Sequence, residues 1–524
     1  MATHKRTRTG CWTCREAGYK CDEQKPFCGR CMRLKITCKG YGVKLKWQDD
    51  NIATPAKKPR RAKRKTNLER SVVRSPGSVV SFASGSGFST SPRDHASPGS
   101  SYSLPLGSFA STPGPFTSPR DFVGSPASMH SFPIVASPSF VIDMSTSDRW
   151  LLQYWVQRLS SLISVAPRKD YASPFQLHLT AMIHDSSALR STVLSMAANH
   201  LALSSNDSSW KIHAFRHQQD AIHELQDVIQ DPNLAITEPA LATVLMMQVS
   251  ARLFGDDDDA SVANHLAGAK AMITRRGNLD RWSTPSSTKF LLSLFAYHDI
   301  LSSVSRGARP LADHDANFAA VEGEPEMESI AKVLLAVARI SQLQHAIKAR
   351  KTDVNDMALS EEENATGRDI QQSLLAMEFP SGSGTTSDIS STAEAYRHAA
   401  FIYLYRTWLD IGAPNPISMD HVQRCLEYIQ QVHVDSSLTS AHIWPLFTAG
   451  CEAIDSAYRQ FVRDRFEEMY TSKRFPSLRR VMRDIEDVWG AKDTEEQMKG
   501  QDGMAKVDCI QVILKRRGRE VDLA

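Results

Sequence analysis

From about residue 145 onward, apolar residues recur at three- and four-residue intervals. Trp150, Leu151, Tyr154, Trp155, Leu159, Leu162 and Ile163 form the first such stripe, one face of an amphipathic helix. Ser147-Asp148 stands in front of it as a start signal. Similar stretches run over 187–204, 208–230, 238–254, 260–276, 286–304, 326–350, 391–412, 419–435, 440–471, 476–489 and 505–517. Thr237-Glu-Pro239 reads as a cap with proline in the first turn. The two-residue alternation of a half-buried strand is nearly absent. The pattern predicts an all-α body of packed helical hairpins over 141–524. A Gly/Ser/Thr stretch at 381–392 and a loop around 307–325 read as mobile insertions.

Upstream the period is lost. Residues 71–140 hold 20 Ser, 10 Pro and 7 Gly, too little apolar surface to order the segment, so 48–140 is expected to be a disordered linker. A near-repeat lies within it, Thr90-Ser-Pro-Arg-Asp94 and Thr117-Ser-Pro-Arg-Asp121. Its Ser-Pro pairs suit proline-directed phosphorylation, and equally a flexible spacer in which they are compositional accidents. No apolar heptad runs between 48 and 145, which leaves a homodimer open rather than indicated. At the linker's start Lys57, Lys58, Arg60, Arg61, Lys63, Arg64 and Lys65 crowd into nine residues. Such a run reads as a nuclear localisation signal for an import receptor, and also as a solvated arm that adds non-specific DNA affinity.

Charge sharpens this division. The 524 residues carry a net +4, but residues 1–70 hold 20 Lys and Arg against 6 Asp and Glu. A basic head on a mildly acidic body implies a polyanion bound at one end. MATHKRTRTG has no apolar run for a secretory signal, and no stretch is long enough for a membrane helix. The expected chain is soluble and intracellular, where clustered cysteines bind metal rather than pair.

Six of the nine cysteines fall within residues 11–38 in a doubled spacing: Cys11, Cys14 and Cys21 recur 17 residues later as Cys28, Cys31 and Cys38. Each zinc takes four ligands, so six thiolates satisfy two Zn2+ only if two sulfurs are shared. The resulting cluster has a net charge of about −2, which nearby basic residues offset. A segment this short cannot bury enough core, so the metal should supply its folding energy. The remaining cysteines, Cys425, Cys451 and Cys509, lie in helical patterns and read as small buried residues. A RING would need histidine among its ligands, and a metallothionein would be denser in cysteine.

This stretch resembles the fungal Zn(II)2Cys6 binuclear cluster DNA-binding domain, C-x2-C-x6-C-x5–12-C-x2-C-x6–8-C. Asp22, Pro26 and Arg30-Cys31 also sit where that family has Asp, Pro and Arg-Cys. The resemblance implies that Cys11 and Cys28 bridge the metals. It implies two short helices related by a pseudo-twofold axis, the first entering the major groove of promoter DNA at a CGG-type triplet. Arg15 and Lys20 would face bases; Arg30, Arg33 and Lys35 would hold phosphates. The family's R-x-R/K-K/R-x-K loop departs here to Arg15-Glu16-Ala17-Gly18-Tyr19-Lys20, with Ala17 and Gly18 in place of a basic pair. Tyr19 suits either the DNA backbone or packing on the cluster. The tail Lys39-Gly-Tyr41-Gly-Val-Lys44-Leu-Lys46-Trp47 is similar to the end of one subgroup and completes a domain of residues 1–47.

Two further segments are similar to the fungal-specific transcription factor domain, second type: His265-Leu-Ala-Gly-Ala-Lys-Ala-Met-Ile-Thr-Arg-Arg-Gly277 and Trp444-Pro-Leu-Phe-Thr-Ala-Gly-Cys-Glu-Ala453. In that family the domain is regulatory. The expectation is a nuclear, zinc-dependent, sequence-specific factor that engages the transcription machinery at RNA polymerase II promoters, with no membrane role. The alternative is an interaction scaffold whose cluster binds DNA weakly and without sequence preference. An enzyme is not expected. The pairs His184-Asp185, His298-Asp299 and His314-Asp315 lack the surrounding histidine and aspartate pattern of a metal phosphohydrolase, and Asp256–Asp259 lacks an EF-hand's alternation.

Overall fold

A computed structural model describes residues 10–17, 19–24, 28–34, 36–38, 144–167, 172–205, 207–255, 262–276, 286–314, 321–354, 358–380 and 382–524. Lys35, the basic run 57–65, the 39–47 tail, the 48–140 linker and Asp256–Asp259 lie outside the described residues.

In the cysteine-rich region two five-residue helices form, α1 (Trp12–Glu16) and α2 (Gly29–Arg33). The body opens with α3 (Thr146–Tyr154), whose cap is Ser145, two residues before the expected signal; its side chain accepts from the Asp148 N–H. The chain continues through a π-helical turn, Trp155–Leu159, into Ser160–Leu162. Next come α4 (Pro174–Asp185), α5 (Ser187–Ser205), α6 (Ser209–Gln230), α7 (Glu238–Phe254) and α8 (Val262–Arg276). Then follow α9 (Ser286–Arg306), α10 (Glu328–Val354), α11 (Glu361–Leu375), α12 (Thr385–Trp408) and α13 (Pro416–Gln431). The last five are α14 (Ile443–Glu452), α15 (Ser456–Lys473), α16 (Pro476–Lys499), α17 (Gln501–Ala505) and α18 (Cys509–Arg517). Among the described residues there is no strand, only an isolated bridge between Val321 and Glu324. No described helix is long and apolar enough to cross a membrane.

Consecutive helices pack on one another as hairpins: α5 on α6, α7 on α8, α12 on α13, α15 on α16. α12 also meets α10, α11 and α14. It is buried on nearly every side, with Ile389, Tyr396, Phe401 and Trp408 in the core and the buried Ser391 and Thr392 satisfied by hydrogen bonds. The end of the chain closes over the body. Val521 and Leu523 are buried, and Asp522 receives Arg480 at 2.9 Å while Arg252, fully buried, donates to the Val521 carbonyl.

Four expectations need correcting. α4 and α11 were not signalled by apolar period; α11 is polar and starts on a Ser360/Glu363 capping box. The 381–392 stretch is no insertion: α12 begins at Thr385, and Ser391 and Thr392 bond Gln431 and His442. The 440–471 stretch is two helices, because Asp455 caps α15 afresh. The start of the 307–325 loop is tied down by the buried Asp299 carboxylate, which accepts the N–H groups of Leu311 (2.9 Å) and Ala312 (3.0 Å).

Candidate metal centre and nucleic-acid interface

The two halves of the cysteine repeat fold alike. Cys11 and Cys28 each cap a helix, their sulfurs accepting the N–H of Cys14 at 3.4 Å and of Cys31 at 3.3 Å. The main-chain bonds then repeat with the sequence. Arg15 donates to the Cys11 carbonyl and Met32 to that of Cys28; Ala17 to Thr13 and Leu34 to Arg30; Tyr19 to Cys14 and Ile36 to Cys31. In every pair both partners shift by 17 residues, so the spacing repeat is a structural repeat.

The thiols converge between these halves. Cys11 Sγ lies 3.5 Å from Cys28 Sγ and 3.9 Å from Cys31 Sγ, and Cys14 Sγ lies 3.7 Å from Cys28 Sγ. Disulfide sulfurs would be about 2.05 Å apart, whereas a tetrahedron with Zn–S bonds of about 2.3 Å has edges of about 3.8 Å. The sulfurs fall into two sets of four, Cys11, Cys14, Cys21, Cys28 and Cys11, Cys28, Cys31, Cys38, each mutually within 4.8 Å. Cys11 and Cys28 belong to both. Among the described residues no other group of ligating side chains has this geometry. An all-sulfur tetrahedral donor set suits zinc. Burial first, and then the neighbouring Cys31 and Cys14 thiols, disfavour a thiolate at Cys28 and push it up to about 12; a divalent cation supplies the opposing charge.

The surrounding residues fix the frame. Asp22 accepts the N–H of Gly29 at 3.0 Å and of Arg30 at 2.9 Å, capping α2 from across the loop. Gly29 is needed for that approach, since a Cβ there would sit 2.7 Å from the Asp22 carboxylate. Thr13 Oγ1 reaches the Thr37 carbonyl at 2.9 Å and links the halves.

The basic residues separate into two kinds. Arg30 is half-buried; its guanidinium stacks 4.0 Å over the Tyr19 ring and donates to Cys14 Sγ at 3.8 Å. Arg15 lies 4.2 Å over Trp12 but is exposed, as are Lys20 and Arg33. Sequence reasoning did not anticipate Thr13, the requirement for Gly29, or the two arginine–aromatic stacks. The 17-residue repeat was the available signal for the first, since Thr13 and Arg30 occupy equivalent positions.

In the body, the Trp444–Ala453 segment runs from the second residue of α14 to its C-cap, and its carboxylate is a hub. Glu452 is buried; it takes Lys492 Nζ and Arg406 Nη2 at 2.7 Å each and the Ala413 N–H at 2.8 Å. Those cations hold it down at about 2, against the cost of burial. Trp489 donates to the Gly450 carbonyl at 2.7 Å, and Trp444 packs on Tyr396 in the core. Of the His-Asp pairs, Asp299 bonds His314 at 2.9 Å and holds a loop, while Asp315 lies outside the described residues. A cavity of about 40 Å³ lined by Leu253, Tyr297, His298, Glu322, Lys473 and Phe475 has room for only a few waters.

Residues 150–523 match the family model of the fungal specific transcription factor domain, and residues 9–48 that of the fungal Zn(2)-Cys(6) binuclear cluster domain. Over 568 aligned residues the chain is 22% identical to pestheic acid cluster transcriptional regulator 3 of Pestalotiopsis fici, covering 94% of this chain and 96% of that protein. It is 50% identical over 42 residues to arginine metabolism regulation protein II of Saccharomyces cerevisiae, which is 8% of this chain and 5% of that protein. It is 60% identical over 37 residues to white-opaque regulator 2 of Candida albicans, 7% of this chain and 8% of that protein. No solved structure matches.

Proposed function

The chain belongs to the fungal transcription factors that join a Zn(2)-Cys(6) binuclear cluster to a fungal specific transcription factor domain, and we propose that it binds two zinc ions and regulates RNA polymerase II transcription from promoters bearing CGG-like triplets. The observation that carries this reading is the pair of overlapping sulfur sets that share Cys11 and Cys28. Cys14 and Cys21 complete one tetrahedron; Cys31 and Cys38 complete the other.

Within the near-twofold unit, α1 rather than α2 enters the major groove. Two observations support this choice. α1 carries exposed Arg15, with exposed Lys20 just beyond it, and Arg or Lys on guanine O6 and N7 is the commonest direct readout. α2 instead exposes Met32, followed by exposed Leu34 and Ile36, which suit neither phosphates nor guanine edges. Arg33 and Lys35 hold phosphates, and Arg30 does so with the donors left over from Cys14. Lys57, Lys58, Arg60, Arg61, Lys63, Arg64 and Lys65 address the chain to the nucleus through an import receptor. The helical body meets the transcription machinery.

Selection of the zinc-loaded chain on random duplexes tests the reading, with metal content measured alongside. The expected outcome is two zinc ions per chain and enrichment of CGG-like triplets. One zinc per chain sinks the shared-sulfur cluster; flat, salt-sensitive binding instead supports the interaction scaffold.

A further inference from the structure

Among the described residues five lysine and arginine side chains are buried, and the chain answers four of them. Lys492 meets Glu452 at 2.7 Å and Arg480 meets Asp522 at 2.9 Å. Arg252 donates to the Val521 carbonyl at 3.2 Å, and Arg465 to the Val432 carbonyl. The fifth is Lys473, the last residue of α15. Burial alone acts on its ammonium; among the described residues no hydrogen bond or carboxylate is set against it. Burial pushes it down to about 8, so at neutral pH it still carries its charge. An unpaired buried charge is among the costliest features a fold can hold. Lys473 lines the cavity between α7, α9 and α15, whose walls include Leu253, Ile443 and Phe475. Other polar groups on that wall are already committed. Ser440 donates to the Leu162 carbonyl at 3.1 Å, and Glu322 receives Ser164 Oγ at 2.7 Å and the Val165 N–H at 2.8 Å. His298 is not: it is buried on the same wall, and its Nδ1 is enclosed without a partner. Burial, helped by the Arg252 charge, pushes His298 down to about 3 and keeps it neutral, so it brings an N–H without a second cation.

Size decides what such a place can take. One water needs about 10–15 Å³ of this kind of space and a benzene-sized guest about 150 Å³. The cavity's 40 Å³ therefore admits about three or four non-hydrogen atoms and no larger organic molecule. We propose that this cavity is an anion site, in which a monovalent anion of formate or nitrate size pairs with Lys473 and takes a second hydrogen bond from His298. Charge selects the anion, the apolar walls exclude the water that would screen it, and volume sets its upper size. Once seated, the ion ties the C-terminal end of α15 to the middle of α9.

The experiment keeps the zinc-loaded full chain in gluconate, an anion too large for the cavity, which occupies surface cations at fixed ionic strength. Carbon-13 formate, nitrate or chloride then replaces part of the gluconate. Binding is followed by formate relaxation, with nitrate and chloride as competitors, and by the melting temperature of the body. The expected result is a saturable formate isotherm that the small competitors displace and benzoate does not, with a melting temperature that rises along it. The order of the three ions identifies the preferred source of the charge. In Lys473→Met affinity falls by roughly tenfold or more, while the body in gluconate melts no lower than wild type, because an unpaired buried charge has gone. His298→Phe weakens binding less. Absence of a saturable isotherm in wild type overturns the proposal, as do displacement by benzoate and an isotherm unchanged in Lys473→Met. The wild-type isotherm and its size limit decide the matter even where a variant fails to fold.

Discussion

In the zinc cluster the buried hydrophobic group consists of Cys11, Cys14, Cys21, Cys28 and Cys31, with Cys38 packed on it; in the body one continuous buried group runs from Leu151 to Leu523. Among the described residues the first region is buried around sulfur alone, and the second gathers no group of side chains suited to a metal. Their information is laid out just as differently. The cluster's chemistry is written in six positions at fixed spacing, so its function can be read before its fold. The body's helices are written in a repeating apolar period, so its fold can be read before its function. Where binding energy comes from a few bonds to an ion, each ligand is indispensable; where it comes from area, each residue is one share of a large sum.

The largest effect expected from that contrast follows loss of a shared ligand. Cys28→Ser, or removal of zinc by a chelator, should abolish specific DNA binding, because structural zinc sites supply on the order of 10 kcal/mol or more of folding energy. The body's cooperative melting and helical circular dichroism should stay as they are. A body that melts with the metal would break the comparison, since it would make the two regions one energetic unit.

Next in size is a place where the body behaves like the cluster, with a few polar bonds doing the work of area. Glu452→Gln leaves Lys492 buried without its carboxylate and weakens the hold on Arg406. Removing one partner of a buried pair costs about 3–5 kcal/mol. The sign with pH follows from the depressed carboxyl: held at about 2 against an ordinary 4.5, it contributes stability that is present above about 4.5 and lost as pH falls through about 2. Thermal melts across that window should show the wild-type body losing stability more steeply than the variant. Equal slopes would place the acid sensitivity elsewhere.

How much could be read in advance differs between elements for physical reasons. The grouping of the six cysteines and the helical class were legible because spacing and period are local properties of the chain. α11 was not: its 361–375 stretch is polar, and it is held by a capping box, by Arg350 on Glu363 at 2.9 Å, and by Gly367 set against the Trp408 ring. Two of those three are tertiary. The first two turns of α12 read as a loop because Ser and Thr compete with the backbone for hydrogen bonds, until Gln431 and His442 engage Ser391 and Thr392. In the cluster the 17-residue repeat pairs Arg30 with Thr13 and Arg15 with Met32, and nothing in that spacing says which arginine turns inward. Only folding lays Arg30 across Tyr19 toward Cys14 and leaves Arg15 outside.

The smallest effect sharpens the comparison inside the cluster, between its two similar halves. If α1 reads the triplet, Arg15→Ala should lower affinity for the preferred site by about 1–3 kcal/mol while leaving binding to random duplex nearly unchanged, so the ratio of the two collapses. Arg33→Ala should weaken both kinds of site alike and reduce the slope of log affinity against log salt by about 0.9. Both side chains are exposed, so neither change should alter zinc content, and measuring the metal separates a reading defect from an unfolded cluster. The reverse result, with discrimination lost on changing Arg33 and kept on changing Arg15, would move recognition to α2. It would also mean that exposed Met32 and Leu34 lie toward the DNA, where apolar contact with thymine methyl groups, not guanine edges, would set the preferred sequence.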